Sequence, residues 1–229
     1  MNISVIIPTK NSESYLRQCL ESVCENISLI QEIIVIDKNS TDRTESIVKE
    51  YPKTSFKQQI GTGLSSAWNQ GIASSRADFL AFIDSDDYWE KNKLAVCLKP
   101  FGSRPELGYV ISKMRFFLES GYEIPQGFRA SLLNQPIIGR VPGTLVARRA
   151  VFDQVGCFNE DLKIAGDVDW FARAVDLEVA MEVIDQVLLH KRIHDSNLSN
   201  NAEKNTQELR QLLLRSIKRK QNSDFDGNP

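Results

Sequence analysis

Cysteine is sparse: Cys19, Cys24, Cys97 and Cys157 are the four in 229 residues, and no two share a paired spacing. That pattern disfavours a zinc module and a disulfide framework and fits reduced thiols in a cytoplasmic protein. Net charge is almost absent, at a formal −2, so no global field draws the chain to nucleic acid or to an anionic membrane. No apolar run approaches the roughly 20 residues of a membrane span. The amino terminus lacks a signal-peptide pattern, and Met1-Asn2 leads straight into the strand-like Ile3-Ser4-Val5-Ile6-Ile7, so the fold is expected to begin at once. Repeats and low-complexity tracts are missing. Gly61-Thr62-Gly63 lacks the Gly-Lys-Ser/Thr ending of a phosphate loop and misses the dinucleotide spacing. At 41% hydrophobic and 25% charged residues, what remains is a globular chain with a sizeable core.

The most informative stretch is Asp78-Phe79-Leu80-Ala81-Phe82-Ile83-Asp84-Ser85-Asp86-Asp87. Its apolar run is that of a strand buried on both faces, as in a parallel sheet. The carboxylates then fall at the strand's carboxyl end, where open α/β sheets bind ligands. Asp84 and Asp86 alternate, which on an extended segment puts both on one side. Two such oxygen ligands can share a divalent cation of the Mg²⁺ or Mn²⁺ type. Capping of a helix starting near Glu90 is the simpler account of one Asp, and Asp87 is assigned to it. Three carboxylates in four residues exceed that need and call for a positive partner.

Earlier in the chain, Ile3 to Pro8 and Glu32 to Asp37 repeat the pattern of an apolar strand, with helices expected over 12–25 and 44–51. A weaker strand (56–60), a helix (64–74) and the strand at 79–84 follow. The order β-α-β-α-β-α-β implies right-handed crossovers and a mostly parallel sheet. Thereafter the sequence predicts a helix over 90–101, a strand over 107–118 that could run antiparallel, and a long Gly/Pro/Asn/Gln-rich connection over 119–141, of the kind that usually serves as a lid or binding loop. A short strand (143–148), a short helix ended by Gly156, a helix after Gly166-Asp167 and strands at 179–184 and 187–193 complete the pattern. Residues 202–220 read as a basic amphipathic helix whose leucines pack on the core or, alternatively, meet an anionic membrane surface.

Taken singly, the other polar groups have ordinary explanations. Ser40 and Asp42 suit turn and cap chemistry. Asp37, ending a buried strand, needs a polar partner that a base N–H or ribose hydroxyl could supply. Trp68 is assigned to the core. Asp167 and Asp169 suit a helix start, and His194 beside Asp195 suits a hydrogen-bonded surface histidine.

As an ordered set the pieces resemble inverting glycosyltransferases of family 2, with the GT-A fold. The matching residues are Val5-Ile6-Ile7-Pro8-Thr9-Lys10-Asn11, Ile34-Val35-Ile36-Asp37 with Ser40-Thr41-Asp42, Gly63 to Ile72, Phe82-Ile83-Asp84-Ser85-Asp86-Asp87, Gly143-Thr144-Leu145, Val155 to Glu160, Gly166-Asp167 and Arg192-Ile193-His194. The resemblance implies an α/β, Rossmann-like, mostly parallel central sheet flanked by helices, with a smaller antiparallel acceptor-side part and a carboxy-terminal helix. It implies one domain over 1–200, its nucleotide-sugar half 1–100 and its acceptor half 101–200, followed by a helix and tail at 201–229.

By the same resemblance Pro8, Thr9, Glu13, Asp37, Asp84 and Ser85 would bind the nucleotide-sugar. Asp86 and His194 would hold Mn²⁺ or Mg²⁺, and Asp167 would be the catalytic base. Partners would be a nucleotide-sugar donor, such as a UDP-sugar, and a hydroxyl acceptor of polysaccharide, glycolipid or other glycoconjugate type. Nucleic acid is not expected. Peripheral membrane contact and homo-oligomer formation stay open. The chain departs from the family pattern at Lys38, Trp68 and Gly166, which motivates a second reading as a non-catalytic nucleotide-sugar-binding protein. A sugar nucleotidyltransferase ranks third, because Pro8 to Ser12 contains no glycine.

Overall fold

The structure is a computed structural model that describes residues 1–126, 128–162, 164–194 and Glu208. The expected terminal helix therefore lies outside the described residues except at Glu208. The strands are β1 (Ile3–Thr9), β2 (Ile30–Asp37), β3 (Thr54–Gln58), β4 (Phe79–Phe82), β5 (Tyr88–Trp89), β6 (Tyr109–Leu118), β7 (Ile137–Ile138), β8 (Val146–Arg148) and β9 (Met181–Ile193). The helices are α1 (Leu16–Cys24), α2 (Thr44–Val48), α3 (Leu64–Ser74), α4 (Lys93–Ser103), α5 (Arg149–Val155) and α6 (Gly166–Asp176).

These strands make one sheet in the order β3-β2-β1-β4-β8-β6-β9-β5, with β7 beside β6. The first four are mutually parallel. β8 runs antiparallel to both β4 and β6, while β9 is parallel to β6. This is the mixed α/β sheet that the strand order implied, with its antiparallel part on one side.

β1 explains the architecture. All seven of its residues are buried, because helices cover both faces of the sheet. Ile3, Val5 and Ile7 pack with Leu16, Leu20 and Val23 of α1, whereas Ile6 packs on the opposite face with Trp68, Ile72 and Phe82. Each such side chain contributes on the order of 1.5–3 kcal/mol when fully buried. α3 approaches β1 closely enough that a Cβ on Gly71 would sit 2.3 Å from Ile6 Cγ2.

Several expectations are corrected. The helix placed near Glu90 starts at Lys93, because Tyr88–Trp89 instead pairs with β9. The two late strands are one: β9 runs through, and its register against β6 jumps from Ile184 to Val187, bulging Asp185 and Gln186. Only Val146–Arg148 of the 143–148 stretch is a strand, since Pro142–Thr144 forms a 3₁₀ turn. The 119–141 connection holds a second 3₁₀ turn, Ala130–Leu132, and the short β7. α5 ends as expected at Gly156, whose φ of 84° is left-handed.

Candidate active site

Parallel pairing aligns Thr9 with Asp37, so the loops after β1 and β2 emerge side by side. Those loops are laced together by side chains that accept or donate to neighbouring backbone. Ser40 Oγ accepts from Asn11 N at 2.7 Å, Asn11 Oδ1 from Thr41 N at 2.9 Å, and Thr44 Oγ1 from Ser12 N at 2.9 Å. Asp42 accepts from Glu13 N and Thr44 N, and Glu13 returns the contact by accepting from Arg43 N at 2.9 Å. Asp42 is thus a loop-and-cap residue. Glu13 is part of the same clasp, half-buried at its edge.

Asp37 is 1% exposed. Thr9 Oγ1 donates to its Oδ1 over 3.0 Å, Ser40 Oγ donates to the same oxygen, and Ser40 N donates to Oδ2 over 2.8 Å. The protein itself therefore supplies the polar partners that a buried strand-end carboxylate requires. Pro8 is buried one residue earlier, paired with Ile36.

Beyond β4, the acidic run does not continue as an extended strand. Asp87 N donates to Asp84 O over 3.1 Å, closing a turn through Ser85 and Asp86. The expectation that alternation along an extended segment aligns Asp84 and Asp86 is corrected: the turn gathers them, and it brings in Asp87 as well. One carboxylate oxygen from each of the three lies within 4.8 Å of the others. Nor does Asp87 cap α4. It is 1% exposed, Lys191 Nζ donates to its Oδ2 over 3.0 Å, and Arg192 N donates to its Oδ1 over 2.9 Å. Ser85 turns its hydroxyl to Ser12 Oγ, 2.8 Å away, tying this turn to the β1 loop.

β9 supplies the counter-charge. Lys191 Nζ also reaches Asp84 Oδ2 at 3.0 Å. Burial opposes its charge, but Asp87, Asp84 and Asp86 outweigh that and hold the ammonium well above its ordinary pKa. Arg192 donates through Nε to Asp86 O at 2.7 Å, pairs with Glu119, and lies over the Tyr15 ring at 4.6 Å. His194 Nε2 stands 3.0 Å from Asp86 Oδ2. Burial opposes ionisation of Asp86, yet the His194 hydrogen bond and the Lys191 charge keep it below the ordinary carboxylate range.

The last carboxylate comes from across the sheet edge. Asp167 is the second residue of α6, and its Oδ1 accepts from Val168 N at 2.8 Å. α6 is fixed by its apolar face: Trp170 is fully buried, packs on Phe152 and Phe158, and donates from Nε1 to Gly156 O at 3.0 Å. Asp169 faces away from this role, paired with Arg173 at 2.7 Å. Just before the helix, Glu208 Oε2 accepts from Ile164 N at 2.9 Å and Ala165 N at 3.0 Å. Burial, reinforced by the charge of Asp84 and opposed by Val168 N and Lys191, pushes the Asp167 carboxyl up to about 6. Asp84 and Asp167 are thus close enough to feel one another, although the sequence separates them by a whole half of the fold.

Of the residues anticipated from sequence, Asp84 and Asp86 share the turn after β4, His194 meets Asp86, Ser85 ties that turn to the β1 loop beside Asp37, and Asp167 is linked to Asp84 through charge. Lys191 and Glu208 went unanticipated. Lys191 sits in the basic run His190-Lys191-Arg192, which by itself does not single it out, and Glu208 is one of two acids in the basic stretch 202–220.

The donor set fits a hard divalent cation. Carboxylate oxygen with one imidazole suits Mn²⁺ or Mg²⁺. Among the described residues no helix is long and apolar enough to cross a membrane.

Residues 4–158 match the family model described as Glycosyl transferase family 2. The chain is 26% identical over 210 residues to chondroitin synthase of Escherichia coli, covering 86% of this chain and 30% of that protein. It is 26% identical over 214 residues to an uncharacterised glycosyltransferase of Rickettsia typhi, covering 87% of this chain and 66% of the relative. Among solved structures, S. aureus TarS 1-349 in complex with UDP-GlcNAc superposes with a TM-score of 0.70 at 26% identity, over 86% of this chain and 60% of that one. Glucosyl-3-phosphoglycerate synthase from Mycobacterium tuberculosis shares the fold, with a TM-score of 0.67 at 18% identity over 94% of this chain and 79% of that one. The matches cover between 14% and 66% of the length of the curated relatives.

Proposed function

Because this chain belongs to glycosyl transferase family 2, we propose that it moves a sugar from a nucleotide-sugar, of the UDP class, to an acceptor hydroxyl with inversion at the anomeric carbon. The observation that carries this reading is the gathering of Asp84, Asp86 and Asp87 in one turn, with the Asp167 carboxyl raised by burial and by the charge of Asp84. The TarS complexes with UDP and UDP-GlcNAc support the donor class. Likeness to chondroitin synthase supports a polysaccharide or related glycoconjugate as product.

Pro8, Thr9 and Glu13 line the nucleotide side, with Asp37 at the base and Asp84 and Ser85 at the ribose and sugar. Asp86 and His194 would hold Mg²⁺ or Mn²⁺. That ion, when bound, supplies a Lewis acid against the charge of the leaving diphosphate. Asp167 takes the proton of the acceptor hydroxyl as the new C–O bond forms on the face opposite the breaking bond to the diphosphate. With its carboxyl pushed to about 6, Asp167 is ionised at neutral pH and still basic enough to accept that proton. Lys191 and Arg192 offset the negative charge that would otherwise hold the carboxylate cluster apart.

Two of the departures from the family pattern have local packing reasons, which weakens the non-catalytic reading. Trp68 is 3% exposed and packs on Phe158 at 4.9 Å. A Cβ on Gly166 would lie 2.2 Å from Ser65 Oγ, so α6 and α3 meet too closely for a side chain there unless Ser65 moves. The test is calorimetry with UDP and a panel of UDP-sugars with and without Mn²⁺, followed by donor hydrolysis. Binding with slow hydrolysis of at least one donor is expected. No nucleotide binding in any condition overturns the proposal, and tight binding without hydrolysis across the panel favours the non-catalytic reading.

A further inference from the structure

Among the described residues Arg115 enters no ion pair, although its charged neighbours do. Lys113 pairs with Asp185, Arg192 with Glu119, and His190 with Glu90. Arg115 Nε is nonetheless buried, and among the described residues it has no hydrogen-bond partner. A donor of a charged group that is shut off from water and left unpaired is costly, so the position calls for a hydrogen-bond acceptor.

Strand register places this guanidinium among aromatic rings. Arg115 is paired with His190 of β9, and His190 with Tyr88 of β5, so the pleat turns the three side chains to one face. Phe117 and Arg192, a second pair further along, share that face. The ring contacts agree. Tyr88 stacks on His190 at 4.5 Å and meets Phe117 edge-on at 5.3 Å, and Arg192 lies over Phe117 at 4.8 Å. The charge of Arg115 is felt at the Tyr88 hydroxyl, which burial and Glu90 raise above its ordinary pKa and which Arg192 and Arg115 pull back. Tyr88, Phe117 and Arg115 are each only partly buried, so all three keep some surface in water.

We propose that Arg115, with Tyr88 and Phe117 beside it, forms a subsite for a saccharide that carries a carboxylate or a phosphate. The guanidinium supplies a planar donor fork that matches either anion, and the rings supply apolar faces for the sugar. His190, the partner of Arg115, comes four residues before His194, roughly 13 Å away at about 3.3 Å per residue. A group bound here is therefore clear of the reacting hydroxyl and belongs to a more distant unit of the acceptor chain. That acceptor role rests on the proposed transfer reaction, whereas the anion site rests on Arg115 and its neighbours alone.

The experiment is calorimetry on the full chain with oligosaccharide probes of equal length, one containing uronic acid, one carrying phosphate and one neutral. The proteins are the unaltered chain, Arg115→Leu and Arg115→Lys, each also titrated with UDP. Circular dichroism checks the fold, and Arg115→Gln replaces Arg115→Leu if the latter does not fold. At least one acidic probe is expected to bind about tenfold or more tighter than the neutral one, the scale of one hydrogen bond to a charged group. Arg115→Leu should lose that margin, Arg115→Lys should keep part of it, and UDP affinity should be unaltered in both. The acidic probe that binds tighter identifies the anion as carboxylate or phosphate. Binding of neither acidic probe overturns the proposal, as does an acidic preference that survives in full in Arg115→Leu. A parallel loss of UDP affinity in Arg115→Leu would assign Arg115 to the donor and overturn it too. If the acidic preference depends on Arg115 but no protein binds UDP, the anion subsite stands and the nucleotide-sugar function falls.

Discussion

His194 Nε2 and Asp86 Oδ2 stand 3.0 Å apart, joining the end of β9 to the turn after β4 across 108 positions of sequence. The pair would give the acidic cluster one oxygen and one nitrogen ligand for a divalent cation. Asp86→Ala and His194→Ala are each expected to remove the Mn²⁺-dependent part of UDP binding. The loss should be at least the roughly 10–100-fold that follows when even a supporting partner of a metal ligand is mutated. Calorimetry with and without Mn²⁺ measures it. A variant that keeps the full metal enhancement would show that the ion sits elsewhere.

Asp167 separates binding from chemistry. Asp167→Asn keeps the shape of the residue and removes the base, so UDP-sugar affinity should stay within about twofold while turnover falls by roughly 10²–10⁴. The pH dependence follows from the raised carboxyl. A base must be ionised, and with its pKa at about 6 turnover should level off above neutrality. Below pH 6 it should fall about tenfold per unit as Asp167 is protonated. A profile flat from pH 5 to pH 8 would remove Asp167 from the role.

Glu208 tests whether the segment after β9 supports that base. Its Oε2 is the acceptor for Ile164 N and Ala165 N immediately before α6, so Glu208→Ala leaves two donors seeking another partner. A loss of about 0.5–2 kcal/mol is expected, as for other helix-start acceptors, together with lower turnover at unaltered UDP affinity. Glu208→Gln, which retains an acceptor oxygen, should recover most of both. Turnover unchanged in Glu208→Ala would confine the contact to stability.

Lys93 offers a test away from the site. It is fully buried in α4, donates only to Thr144 O at 3.1 Å among the described residues, and lies 5.2 Å from the centre of the Trp89 ring. Burial pulls its pKa below the ordinary lysine value. In the window between that lowered value and the unfolded value of about 10.4, the unfolded chain binds the extra proton, so stability rises with pH. Lys93→Met is expected to raise the melting temperature at pH 7 by about 2–4 °C, the equivalent of about 1 kcal/mol in a chain of this size. The gain should shrink as pH approaches 10. A lowered melting temperature at pH 7 would mean that the Thr144 and Trp89 contacts outweigh desolvation.

Much of the first half was legible because its signals are local. An apolar run such as Ile3 to Ile7 is long enough to define a strand covered on both faces, and the Leu16, Leu20 and Val23 spacing defines the helix that covers one of them. α3 was anticipated at its observed bounds, since Gly63 precedes it with a φ of 86° that other residues resist. Beyond Leu107 the signals weaken because pairing there is between distant segments. Nothing local in Tyr88-Trp89 says that it will pair with Leu189 and His190 rather than begin a helix. The merger of two expected strands into β9 likewise depends on β6 tolerating a bulge at Asp185 and Gln186.

The site divides the same way. Sequence alone determined that carboxylates end strands β2 and β4 on a parallel sheet, because alternation of strand and helix and the chirality of the crossovers leave no other edge for them. The tertiary structure decided what each carboxylate faces. Asp87, assigned to a helix cap, became a buried partner of Lys191; Asp37 found Thr9 and Ser40; and Asp167, with the look of any acid at a helix start, came under the charge of Asp84. Those outcomes depend on which elements the sheet order brings together. A charge responds to its neighbours in space through desolvation and Coulomb attraction, and neither is written in the order of the chain.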